Sequence, residues 1–154
     1  MKEYYTEIMD KFFPDIQSEL ELANESVVHR FHGTWVGHGA RLSGLFVISD
    51  NKIYFRGKPK MTFTSSTWSL MSSAGKSKNV MIVPFNSIYE LKAKKNQFVF
   101  KHTLDFMGGK YVGKKEKVVI EMTQGKEGKE KESKEELFKR AEELNSFLIA
   151  KMNK

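Results

Sequence analysis

The chain has no cysteine among its 154 residues. That excludes a disulfide framework, thiolate catalysis and sulfur-ligated metal, and it fits a reducing compartment. Proline occurs only three times, at Pro14, Pro59 and Pro84. No stretch approaches the roughly 18 apolar residues that a membrane-spanning helix needs. The opening Met1-Lys2-Glu3-Tyr4-Tyr5 is mixed in charge and lacks the apolar core of a signal peptide. A cytoplasmic protein, with any membrane contact peripheral, is therefore expected. Catalytic signatures are missing as well. There is no glycine-rich phosphate loop, no nucleophile elbow and no metal-binding helix motif. His29 and His32 fall on opposite faces of a strand, and Asp50 and Asp105 have no carboxylate partner nearby in sequence. A non-enzymatic protein without a cofactor or metal is expected.

Acidic residues are scarce in one region in particular. Met1 to Phe55 carries 5 basic and 8 acidic residues, a net of −3, and Val118 to Lys154 carries 8 of each. Arg56 to Lys117 carries 13 basic and 3 acidic residues, a net of +10, so the whole excess of +7 comes from the middle of the chain. Such asymmetry bears on partners rather than on fold. Lysine-rich turns also keep a β domain soluble.

What is present is the length of one domain with a core of its own. Residues 2–22 place Tyr5, Ile8, Met9, Phe12, Ile16 and Leu20 at helical spacing, with Pro14 predicting a kink or a break into two short helices. This extension, 1–24, is expected to lie on the body or to dock on a partner. From residue 25 the pattern turns to short strands. Val27–Val36, Arg41–Ile48 and Lys52–Arg56 come first, with Ser49-Asp50-Asn51 making an antiparallel hairpin of the last two. Strand-like composition follows at 61–71, 80–83, 88–92, 97–106 and 117–122. Phe98, Phe100, His102 and Leu104 share one side of their strand, and His102 is expected at its surface. Residues 124–132 read as a charged linker with little to bury. Ser133 and Glu136 make a capping box for a final helix, 133–152, with an apolar stripe of Leu137, Ala141, Leu144, Leu148 and Met152 widened by Phe138 and Phe147. About seven antiparallel strands and one helix predict a mainly β fold with α, a small barrel or sandwich closed by its C-terminal helix.

Two segments carry a family resemblance. Gly44-Leu45-Phe46-Val47-Ile48-Ser49-Asp50-Asn51-Lys52-Ile53-Tyr54-Phe55 resembles the strand–turn–strand pattern of GRAM domains. Val83-Pro84-Phe85-Asn86-Ser87-Ile88-Tyr89-Glu90-Leu91 resembles the segment that follows it there. The order of elements over 25–154 is similar to the pleckstrin-homology (PH) superfold and its GRAM and GLUE branches. The resemblance implies a PH-like binding module. GLUE domains, which the chain resembles, bind lipid and ubiquitin, so both a phosphoinositide-bearing membrane and a protein partner (ubiquitin or a peptide) are implied. The residues 57–79 are longer and richer in Ser and Thr than a compact GRAM hairpin.

The residues expected to meet anionic phospholipid headgroups are Arg56, Lys58 and Lys60 at the end of one hairpin and Lys76 and Lys78 in the following loop. Each basic residue near an anionic leaflet contributes about 1 kcal/mol. Trp68 beside that loop is a candidate either for interfacial insertion or for the core. Nucleic acid ranks lower, because no element interleaves basic and aromatic residues as a stacking platform does.

Overall fold

A computed structural model describes residues 7–37, 40–59, 80–102, 116–127 and 130–152. The strongest local signal is the unbroken apolar run Leu45–Ile48, which suits a strand covered on both faces. It lies in β2 (Ala40–Ile48), between β1 (His29–Gly37) and β3 (Lys52–Pro59). Phe46, Ile48, Ile53 and Phe55 face one side with Phe31 and Trp35. Leu45, Val47 and Tyr54 face the other. The chain continues through β4 (Met81–Pro84), a 3₁₀ turn (Phe85–Ser87), β5 (Ile88–Lys94), β6 (Gln97–His102) and β7 (Glu116–Met122). All seven strands join one curled, half-barrel sheet in the order β4-β3-β2-β1-β7-β6-β5, every pair antiparallel.

The curl has a visible local source. Gly33, Gly44 and Gly57 are register partners on β1, β2 and β3, so three adjacent strands carry glycine at one level of the inner face. A Cβ on Gly44 would sit 2.2 Å from the Arg56 carbonyl oxygen, and one on Gly33 would sit 2.4 Å from that of Glu121. Only glycine allows backbones to approach that closely. The rings of Phe31 and Phe46 lie over Gly33, and that of Phe55 over Gly57.

The inner face is closed by α2 (Lys134–Met152), whose Leu137, Ala141, Leu144 and Leu148 are buried against it. Ser133 and Glu136 form the expected cap: the Glu136 N–H donates to Ser133 Oγ at 3.1 Å. The void left between helix and sheet is about 10 Å³ and wholly apolar, lined by residues such as Phe98, Ile120 and Leu148. That is room for about one water molecule, so the interior there is packed rather than a ligand chamber.

The outer face of β2 and β3 is covered by α1 (Glu7–Ala23) through Phe12, Ile16 and Leu20. Of the kink or break expected at Pro14, the break does not occur: one helix runs through it. Proline removes one backbone donor, but Phe12 before it and Ile16 and Leu20 after it are anchored on the same strands, which holds the two halves together. Asn24, with φ of 56°, ends the helix in a left-handed cap. The Asn24 N–H donates to Glu21 O at 3.1 Å and the Glu25 N–H to Leu20 O at 2.9 Å, the Schellman pattern.

Two further expectations are corrected. The stretch 124–132 is not a plain solvated linker: Lys126–Glu127 (β8) pairs with Glu130–Lys131 (β9), and Glu132 is 2% exposed. Its carboxylate receives Arg140 Nε at 2.9 Å, Arg140 Nη2 at 2.8 Å and the Gly125 N–H at 2.9 Å. His102 is fully buried instead of lying at the surface, because it continues the inward phase of Phe98 and Phe100.

Candidate functional site

Of the six residues expected to bind lipid, Arg56 is the one whose side chain is described. It leaves the outer face of β3 toward α1. Its Nε donates to Asp15 Oδ2 at 3.2 Å, Nη1 donates to the Gly57 carbonyl at 3.0 Å, and the guanidinium lies 5.3 Å from the Phe12 ring centroid. Arg56 thus ties the helix to the sheet. Lys58 lies in β3, where its backbone is the register partner of Ser43 in β2. Lys60, Trp68, Lys76 and Lys78 lie outside the described residues, as do the strand-like segment 61–71 and Leu104.

The register shows from which end of the sheet the lysine-bearing connections leave. Pro59 at the end of β3 pairs with Leu42, and Gly37 pairs with Ala40 at the β1–β2 connection. Val36 pairs with Val119, which sets Glu116 at that same end, and Glu116 pairs with His102. The connections 60–79 and 103–115 therefore start from one end of the sheet. Between them they contain Lys60, Lys76, Lys78, Lys110, Lys114 and Lys115 against the single acid Asp105. The β5–β6 turn with Lys94 and Lys95 lies toward the opposite end, since Gln97 pairs with Glu121, itself level with Thr34.

A second surface is the outer face of the strands that α1 leaves uncovered. Four registers link five strands into one row, Arg41–Val36–Val119–Val99–Lys92. Val36 is 38% exposed, Val99 and Val119 are half-buried, and Arg41 and Lys92 are exposed. The adjacent row toward the lysine-bearing end pairs Lys117 with Lys101 and Lys101 with Tyr89. Lys101 also contacts Glu90 at 2.9 Å, where both side chains are exposed enough to be well screened. In strands far apart in the chain these valines look like ordinary alternation, and only the register lines them up.

A third feature is a polar cleft of about 460 Å³ beside the β2–β3 turn, lined by Glu25, Asp50, Asn51, Lys52, Asn86 and Lys151 among others. The α1 cap delivers Glu25 to its wall. Oε1 accepts from Tyr54 OH at 2.6 Å and Ser49 Oγ at 2.8 Å, and Oε2 accepts from Lys52 Nζ at 3.0 Å and Asn51 Nδ2 at 3.3 Å. Burial opposes ionisation of this carboxyl. The four donors together outweigh burial and hold its pKa below the ordinary value. Burial, and then the bond and charge of Glu25, push the Tyr54 phenol well above its ordinary pKa. A carboxylate saturated by four donors is a structural tie and is poorly suited to act as a general base. Asp50 is paired with Lys151 at 3.3 Å. Among the described residues no group of three or more His, Asp or Glu is placed to hold a metal ion, and no helix is long and apolar enough to cross a membrane.

Neither a family model nor a curated protein matches the chain. Among solved structures it is similar to the C-terminal domain of an unknown protein from Leishmania infantum, at 15% identity over 96% of each chain and a TM-score of 0.48.

Proposed function

We propose that this chain is a non-enzymatic, PH-like adaptor of the GRAM or GLUE type, cytoplasmic, that recruits a complex to anionic phospholipid membranes. The observation that carries the reading is that two connections, holding six lysines and one aspartate, start from the same end of the sheet. In this reading Lys58, Lys60, Lys76 and Lys78 meet headgroups, Trp68 enters the interface, and Arg56 serves mainly to fasten α1. Six cations at about 1 kcal/mol each suffice for reversible, salt-sensitive recruitment and fall short of permanent anchoring.

Flotation with vesicles of phosphatidylcholine and phosphatidylserine tests it. Binding at low salt, lost at high salt and weakened by Lys76→Glu with Lys78→Glu, is the expected result. No flotation at low salt overturns it and leaves the protein-interaction reading, ubiquitin or peptide, to be tested by pull-down.

A further inference from the structure

We infer that the outer face that α1 leaves uncovered among the described residues, centred on the row Val36–Val119–Val99, is a docking surface for an acidic amphipathic helix of a partner protein. The inference does not depend on lipid binding.

The occupant is argued from what already covers the other half of the same face. Residues Glu7–Ala23 form a helix with five acidic side chains and one basic, a net of −4. That helix lays Phe12, Ile16 and Leu20 on Leu45, Val47 and Tyr54. Cations at the edge of the contact complete the seat. Arg56 pairs with Asp15 at 3.2 Å, and Arg30 lies 5.1 Å from the Phe13 ring centroid. The outer face thus accepts an acidic amphipathic helix on an aliphatic strip with basic margins.

The uncovered half repeats that chemistry. Its strip is three valines on adjacent strands, with Arg41 and Lys92 at the two ends of the row and Lys117 alongside; Lys101 in that flanking row is engaged by Glu90, and the row on the other side carries Glu121, which accepts from Gln97. Lys92 and Lys117 make no ion pair among the described residues and are exposed. Strand spacing places the valines about 4.8 Å apart along the row, close to the roughly 5.4 Å pitch of a helix, so apolar side chains one turn apart fit between them. From Arg41 to Lys92 is four strand spacings, roughly 19 Å, which a helix of about 13 residues spans. A second copy of this chain is a poorer occupant, because its own acidic helix has its apolar stripe buried on its own sheet.

A fluorescein-labelled synthetic peptide of about 14 residues tests this, with a leucine stripe flanked by glutamates and, as control, the same composition with the stripe scrambled. The full chain should bind the amphipathic peptide at low salt, more weakly as salt rises, with amide shifts at Val36, Val99 and Val119. Lys92→Glu with Lys117→Glu should weaken binding about tenfold, from two lost and inverted surface charge contacts, while the Arg pair at the same positions retains it. Lys76→Glu with Lys78→Glu should leave peptide binding unchanged, so failure of the lipid reading and failure of this one are separable. Four results overturn the inference: no peptide binding, equal binding of the scrambled peptide, shifts confined to Leu45, Val47 and Tyr54, or concentration-dependent self-association through Val36 in sedimentation.

Discussion

Glu25 carries more hydrogen bonds than its place in a short loop suggests. Its carboxylate gathers Ser49, Asn51, Lys52 and Tyr54, so one residue fastens the end of α1 to the β2–β3 turn. Tyr54→Phe removes a donor to a charged acceptor and should cost about 2 kcal/mol in denaturant unfolding. The pH dependence has two limbs. The Glu25 pKa is lowered on folding, so its contribution is present above the unfolded value near 4.5 and is lost as pH falls below it. The Tyr54 pKa is raised, so its contribution is present below the unfolded value near 10.0 and is lost as pH climbs past it. Thermal unfolding against pH should show both losses, and Glu25→Gln should flatten the acid limb. An acid limb unchanged by Glu25→Gln would assign it to other groups. Gly44 is the other residue whose surroundings leave no slack. Gly44→Ala drives a Cβ into backbone and should cost about 3 kcal/mol by the same measurement, and an unchanged midpoint would show that the strands can part there.

At the scale of elements, the legible parts are those whose signals are local. The β2–β3 hairpin is readable because two apolar runs and the polar turn between them agree on its register, and α2 is readable because Ser133, Glu136 and the leucine stripe agree on its start and face. The continuity of α1 through Pro14 is not readable, since it depends on a sheet more than twenty residues downstream. The burial of Glu132 is hidden for a similar reason. Within Gly-Lys-Glu-Lys-Glu it looks solvated, and only Arg140, two turns into the helix, draws it inward. Removing one member should be costly: Glu132→Ala leaves a buried guanidinium and should lose about 3–5 kcal/mol. Glu132→Leu combined with Arg140→Met should lose much less, because no buried charge is left alone. A double-mutant cycle in urea measures the difference, and equal losses for the single and double variants would place the energy in packing instead.

For the whole molecule, charge and coverage divide along the sheet. Acidic α1 shields the outer face of β2 and β3, while the strands beyond them present valines and lysines. The net of +10 between Arg56 and Lys117 is plain in the sequence, but its distribution is not. Arg56 reads there like any other member of the basic cluster, and the fold commits it to Asp15. The candidate docking row is equally hidden, because Val36, Val99 and Val119 share nothing in sequence that singles them out.

The glycine row ties these scales together. Gly33, Gly44 and Gly57 leave a band of bare backbone across three strands, with the rings of Phe31 and Phe46 over its Gly33 end and that of Phe55 over its Gly57 end. Each glycine surrenders about 0.5–1 kcal/mol of extra chain entropy on folding, which at Gly33 and Gly57 the rings packed on the backbone help to offset. Neither half is useful without the other: a side chain in place of a glycine has no room, and a smaller residue in place of a buried ring leaves a cavity over the bare backbone. Changes to a glycine and to the ring over it should therefore be non-additive, since each alters the space the other fills.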